Sequence, residues 1–147
     1  MHAIWMRPLF ARLAPIFVVL AVLSCSVTSP FNERAYDIAT TAKVDALAVV
    51  TSATEPYATH ASEVHALKLE IDKAYEFAKG RPHNEEATQQ WAIIRDPQRN
   101  SLGGLLRRWQ ERGTLDGAFV AEAQALIADG FDTVIELESG KRRPSEQ

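Results

Sequence analysis

One cysteine, Cys25, and two methionines, Met1 and Met6, are all the sulfur in this 147-residue chain. A single thiol closes no intramolecular disulfide, so a cross-linked scaffold is excluded. With no Cys-x-x-Cys-His and no methionine after position 6, c-type haem attachment and methionine–histidine ligation within the body of the chain are excluded too. Histidine is scarce: beyond His2 there are only His60, His65 and His83. His60 and His65 in "HASEVH" stand five apart, about 140° around a helix, where a zinc pair four apart would share one face. Paired Glu-x-x-His motifs, which a di-iron bundle needs, do not occur. Neither does a Gly-x-Ser-x-Gly elbow, and "SLGG" lacks the Gly-Lys-Ser/Thr ending of a phosphate loop. No metal, cofactor or catalytic residue is therefore expected.

Positive charge is also in short supply. The formal net charge is −3, with 16 basic against 19 acidic side chains, which removes the electrostatic reason to expect nucleic acid. No acidic residue precedes Glu33, whereas Arg7 and Arg12 lie in the first dozen positions, so the amino terminus is a different kind of segment. It reads as a basic start, "MHAIWMRPLFAR", followed by an apolar core from Leu13 to Leu23. That core is about half of the roughly 20 residues a helix needs to cross a bilayer. The layout predicts a cleaved secretory signal peptide over 1–24 rather than a transmembrane anchor.

At its end stands "VLSC". Val22, Leu23, Ser24 and Cys25 resemble the cleavage motif of bacterial lipoproteins, with Leu23 where a smaller residue is more usual. That resemblance implies a diacylglyceryl thioether on Cys25, cleavage before it and acylation of the freed amine. Two or more acyl chains hold a protein stably to a bilayer, whereas one holds it marginally. Ser26 occupies the position where inner-membrane retention commonly uses aspartate, so the resemblance points to the outer membrane, facing the periplasm. Stretches such as "EVHALKLEIDKAYEFAKG" and "QWAIIRDP" are similar to small Gram-negative lipoproteins without assigned activity, a likeness that implies no catalytic residue.

What remains is helix almost throughout. At 46% hydrophobic and 24% charged, the chain is not disordered as a whole. After a short lipidated tether, 25–31, the three-and-four spacing of apolar residues predicts a first helix from Asn32 to about Thr54 and a break at Pro56. A second runs from about Tyr57 or Thr59 to Lys79 and stops at Gly80. Asn84, followed by Glu85 and Glu86, is placed to cap a third, short helix that turns Ala87, Trp91 and Ile94 inward and ends at Asp96 and Pro97. Leu102, Leu105, Leu106 and Trp109 mark a fourth short helix ending at Gly113, with Gly103 and Gly104 weakening its first turn. The fifth starts at Asp116, with Leu115 and Val120 as a hydrophobic staple. It carries Phe119, Ala123, Leu126, Ile127, Phe131, Val134 and Leu137 to Gly140. The tail 141–147 reads as disordered.

The expected fold is all-α: a compact antiparallel bundle of three long and two short helices over 32–140. The expected function is a membrane-anchored interaction module without catalytic activity, its partners the bilayer, through Cys25, and an envelope protein. The alternative is a ligand-binding or enzymatic bundle. If every helix reverses direction, Arg34, Lys79, Arg81 and Arg112 share the tethered end as a basic rim suited to anionic headgroups or a partner's carboxylates. Arg95, Arg99, Arg107, Arg108 and Arg112, interleaved with Trp91 and Trp109, read more simply as buried tryptophans with a solvated arginine rim, Glu111 offsetting Arg107.

Overall fold

The computed structural model describes residues 29–140. The "VLSC" stretch with Cys25, and the tail 141–147, lie outside the described residues. Helix is the only regular secondary structure among those described, in five α-helices: α1 (Glu33–Thr51), α2 (Tyr57–Lys79), α3 (Glu85–Arg95), α4 (Leu102–Arg112) and α5 (Gly117–Glu138). A short 3-10 turn, Ser52–Thr54, follows α1. The all-helical bundle expected from periodicity is the fold observed.

Local signals explain most of the boundaries. The Asn32 side-chain oxygen accepts the Ala35 N–H at 2.9 Å, and Asp116 accepts from Ala118 and Phe119, so α1 and α5 begin where their caps satisfy orphan backbone donors. Gly113, at a φ of +80°, closes α4 in the left-handed region that glycine enters without a steric cost. Gly80 closes α2 with ordinary right-handed geometry; the positive φ of that turn falls on His83, at +56°.

α1 presents an almost pure alanine face, Ala35, Ala39, Ala42 and Ala46, continued by Val50 and Ala53, all buried. Small side chains let α1 lie close to two neighbours, and it packs most extensively on α5 and then α2. Larger residues fill the other side. Trp91 of α3 meets Phe131 of α5 edge-on with ring centroids 5.8 Å apart, above Ile71 and Leu106 in one continuous core. Trp109 packs edge-on against Tyr57 at 5.5 Å, and its indole N–H donates to the Glu55 carbonyl at 2.9 Å.

The course of the chain differs from the expected alternation of five helices. Lys43 pairs with Asp132 at 2.5 Å and Gln124 donates to Thr51, so α1 and α5 are antiparallel. Arg95 pairs with Asp72, and Asn84 bonds the Ala78 carbonyl, so α2 and α3 are antiparallel. α4 does not then turn back. Its far end, Gly113, accepts the Tyr57 N–H, and the Leu115 N–H donates to Ala53, beside the turn that joins α1 to α2. α3 and α4 therefore run in the same sense. Their 11 residues each give a third leg of roughly 33 Å, matching the 22 residues of α5 at 1.5 Å per residue. The molecule is a four-leg up-and-down bundle with one leg broken at 96–101.

The glycines of "SLGG" explain why the break is tight. A Cβ on Gly103 would run into the Arg95 carbonyl and the Asp96 backbone, and one on Gly104 into the Arg99 carbonyl. The first turn of α4 is seated directly on the chain leaving α3. Glycine here permits a close backbone approach, which outweighs its usual helix penalty.

Candidate functional site

The bundle has two ends: a tether end, named for Ser29 and Pro30, which the sequence assigns to a tether, and a distal end. At the tether end, Arg81 in the α2–α3 turn forms an ion pair with Glu138, the last residue of α5. The Glu138 carboxylate is buried and also accepts the Asn84 amide at 3.1 Å. Asn84 is thus not the side-chain cap expected for α3. A buried carboxylate needs every donor within reach, and the amide goes to Glu138 and to the Ala78 carbonyl instead. The second guanidinium nitrogen of Arg81 donates to the Ser29 hydroxyl at 2.8 Å and the Pro30 carbonyl at 2.9 Å, while the Ser29 N–H donates to the His83 carbonyl. Ser29 and Pro30, assigned to the tether by sequence, are fastened to the bundle.

This geometry revises the basic rim. Arg81 is committed to Glu138 and to the incoming chain, and Lys79 pairs with Glu76 at 3.6 Å and overlies the Tyr75 ring. Arg34 is exposed at the start of α1, at the same end of the bundle as Lys79 and Arg81. Arg112 is at the other end of the molecule, because α4 continues the direction of α3 and finishes at the α1–α2 turn. Three of the four expected residues meet at the tether end and the fourth does not. An exposed aromatic pair lies there as well: Phe31 and Tyr36, ring centroids 6.4 Å apart.

At the distal end, both ring nitrogens of His60 face carboxylates, Glu63 and Glu55, at 2.9 Å each, and the ring leans on Trp109 at 5.6 Å. The hydrogen bond to Glu63, then that to Glu55, raises the His60 pKa above its usual value. His65 is exposed on α2 and takes no part. Among the described residues no three His, Cys, Asp or Glu side chains are grouped to hold a metal ion, and no helix is long and apolar enough to cross a membrane.

A concavity lies along the side, between α4 and α5, with a volume of about 590 Å³. Arg99 and Arg108 stand on the α4 side, Glu122 and Asp129 on the α5 side, and Phe119 and Leu126 supply apolar surface between them. Arg108 stacks on Phe119 at 4.8 Å and has no carboxylate partner among the described residues. Arg107 is spent locally, on the Pro97 carbonyl and, as its spacing predicted, on Glu111. The groove also corrects the placing of Leu126. Expected inside, it is 54% exposed, because α4 stands off from α5 here. Trp91 and Trp109 are core residues, and Arg95 is stacked on Tyr75 at 4.2 Å.

Sequence reasoning places Glu138 among solvated helix-end acids rather than in a buried ion pair, and it misses the His60 clamp and the acidic wall of the groove. For Glu138 a signal existed: it continues the spacing of Ile127, Phe131 and Val134, all buried, so an acid stood on the apolar stripe. No protein-family model matches the chain, and no curated protein or solved structure shows significant similarity to it.

Proposed function

We propose that this chain is a lipid-anchored protein of the bacterial cell envelope, probed by its partners as a non-catalytic helical module that stands end-on to the membrane. The Val22–Cys25 sequence carries the anchor in this reading, and the fastening of Ser29 and Pro30 by Arg81 and His83 supports the end-on orientation. Cys25 is four residues before Ser29, a reach of about 14 Å when fully extended. An acylated Cys25 would keep the Arg81–Glu138 end against the lipid and hold the His60–Trp109 end about 34 Å away, the length of the 23-residue α2.

The lipid-facing surface in this reading is the Phe31–Tyr36 pair flanked by Arg34 and Lys79. Aromatic rings suit the headgroup boundary, and two basic side chains, one of them already paired, add a modest attraction to anionic lipid. The Ser26 position supports delivery to the outer membrane. Intact mass of the purified protein tests the anchor: the expected species begins at Cys25 and carries a diacylglyceryl group and a further acyl chain. Cys25→Ala should release the protein from washed membranes. A native protein without lipid mass, or a Cys25→Ala protein bearing the same lipid, would overturn the reading.

A further inference from the structure

The groove between α4 and α5 has a feature that a general ligand cleft does not require: its two walls carry opposite charge. Arg108 lies on α4 and Arg99 in the turn before it, where it pairs with Asp96 at 3.7 Å; Glu122 and Asp129 lie along α5, and neither of these two acids has an ion-pair partner among the described residues. Between them Phe119 is half-buried and Leu126 is exposed. Such a surface is complementary to itself. We propose that it is the contact face of a homodimer, the groove of each copy receiving the α5 ridge of the other around Leu126.

Symmetry makes the proposal specific. A closed pair places the same patch of both copies in contact across a two-fold axis lying in the contact plane. With that axis perpendicular to the helices, α4 would face α4 and arginine would meet arginine. With it parallel to the helices, α4 of one copy covers α5 of the other. Arg108, level with Phe119 through their stacking, then faces Glu122 of the second copy, and Arg99 faces its Asp129. Like charges in direct opposition are costly and opposite charges set orientation, so the parallel arrangement is selected. The exposed pairs contribute little affinity by themselves; the apolar surface around Leu126 provides it.

The parallel arrangement has a second consequence. It turns both tether ends the same way, so both copies of Ser29 and Pro30 emerge on one side and two anchors can enter one bilayer. This clause rests on the lipid-anchor reading; the contact itself does not.

The test uses the full-length protein in detergent, followed by sedimentation, with intact mass recorded on the same sample. The expected result is a dimer. Arg108→Glu or Glu122→Arg should each raise its dissociation constant about tenfold or more. The double variant, which restores the opposition across the axis, should regain the dimer, and this rescue excludes simple misfolding of either single variant. Leu126→Cys should cross-link to its counterpart with a short bismaleimide in native membranes. A dimer of protein lacking lipid upholds the contact and removes only the anchor. A lipid-bearing monomer, or a dimer indifferent to both single reversals, overturns the proposal and leaves the groove to another occupant.

Discussion

Arg81 and Glu138, 57 residues apart in sequence, form the ion pair that ties the α2–α3 turn to the end of α5 and, through Ser29, to the incoming chain. Their side chains are 11% and 2% exposed, so neither charge has water to fall back on. Removing one partner of a buried pair commonly costs about 3–5 kcal/mol, whereas replacing both with apolar groups is often neutral. Arg81→Met and Glu138→Leu should each lower stability in urea by about that much. The double variant should recover a large part of the loss. Additive losses in the double variant would mean that the two residues are not coupled.

Gly103 and Gly104 offer a reversal of sign. In an exposed helix, Gly→Ala commonly stabilises by about 1 kcal/mol. Here the added methyl meets backbone of Arg95, Asp96 and Arg99, which cannot swing aside as a side chain could. Each alanine variant should therefore melt lower than the native protein, by an amount corresponding to about 1–3 kcal/mol of overpacking. Thermal unfolding followed by circular dichroism decides it. A higher melting temperature for either variant would show that the break between α3 and α4 is looser than described.

The inward and outward faces of α5 can be told apart directly. Ile71→Ala, Trp91→Ala and Phe131→Ala each empty a fully buried position and should cost about 2–5 kcal/mol. Leu126→Ala, on the same helix as Phe131 but 54% exposed, should change stability by no more than about 0.5 kcal/mol. The comparison is best made by urea titration at a protein concentration below that of any self-association, since a dimer would itself add stability through Leu126.

His60 gives the molecule a pH dependence of known sign. Its pKa is raised in the folded state by Glu63 and Glu55, so the folded protein holds the proton more tightly than the unfolded chain. The stabilisation is fully present below the unfolded value near 6.5 and is lost as pH rises through the higher folded value. Native protein should exceed His60→Gln in melting temperature at pH 5.5, and the gap should narrow by pH 8.5. A gap that widens with rising pH would contradict the assignment.

The sequence by itself determined what is local. Each helix lies within a few residues of its expected span, because apolar spacing, the Asn32 and Asp116 caps, Pro56, Pro97 and Gly113 act over one or two turns. The inward placing of Trp91, Trp109 and Phe131 followed from the same periodicity. Tertiary structure alone decided the rest. Helical periodicity says which face is apolar but not which way the next helix runs; α4 keeps the sense of α3, with its first turn seated on the Arg95 backbone at Gly103. That direction moved Arg112 to the far end and opened the groove that leaves Leu126 in solvent. Asn84, read as a cap from its neighbours, was claimed by a carboxylate 54 residues away, because a buried charge demands donors more strongly than a helix start near water does.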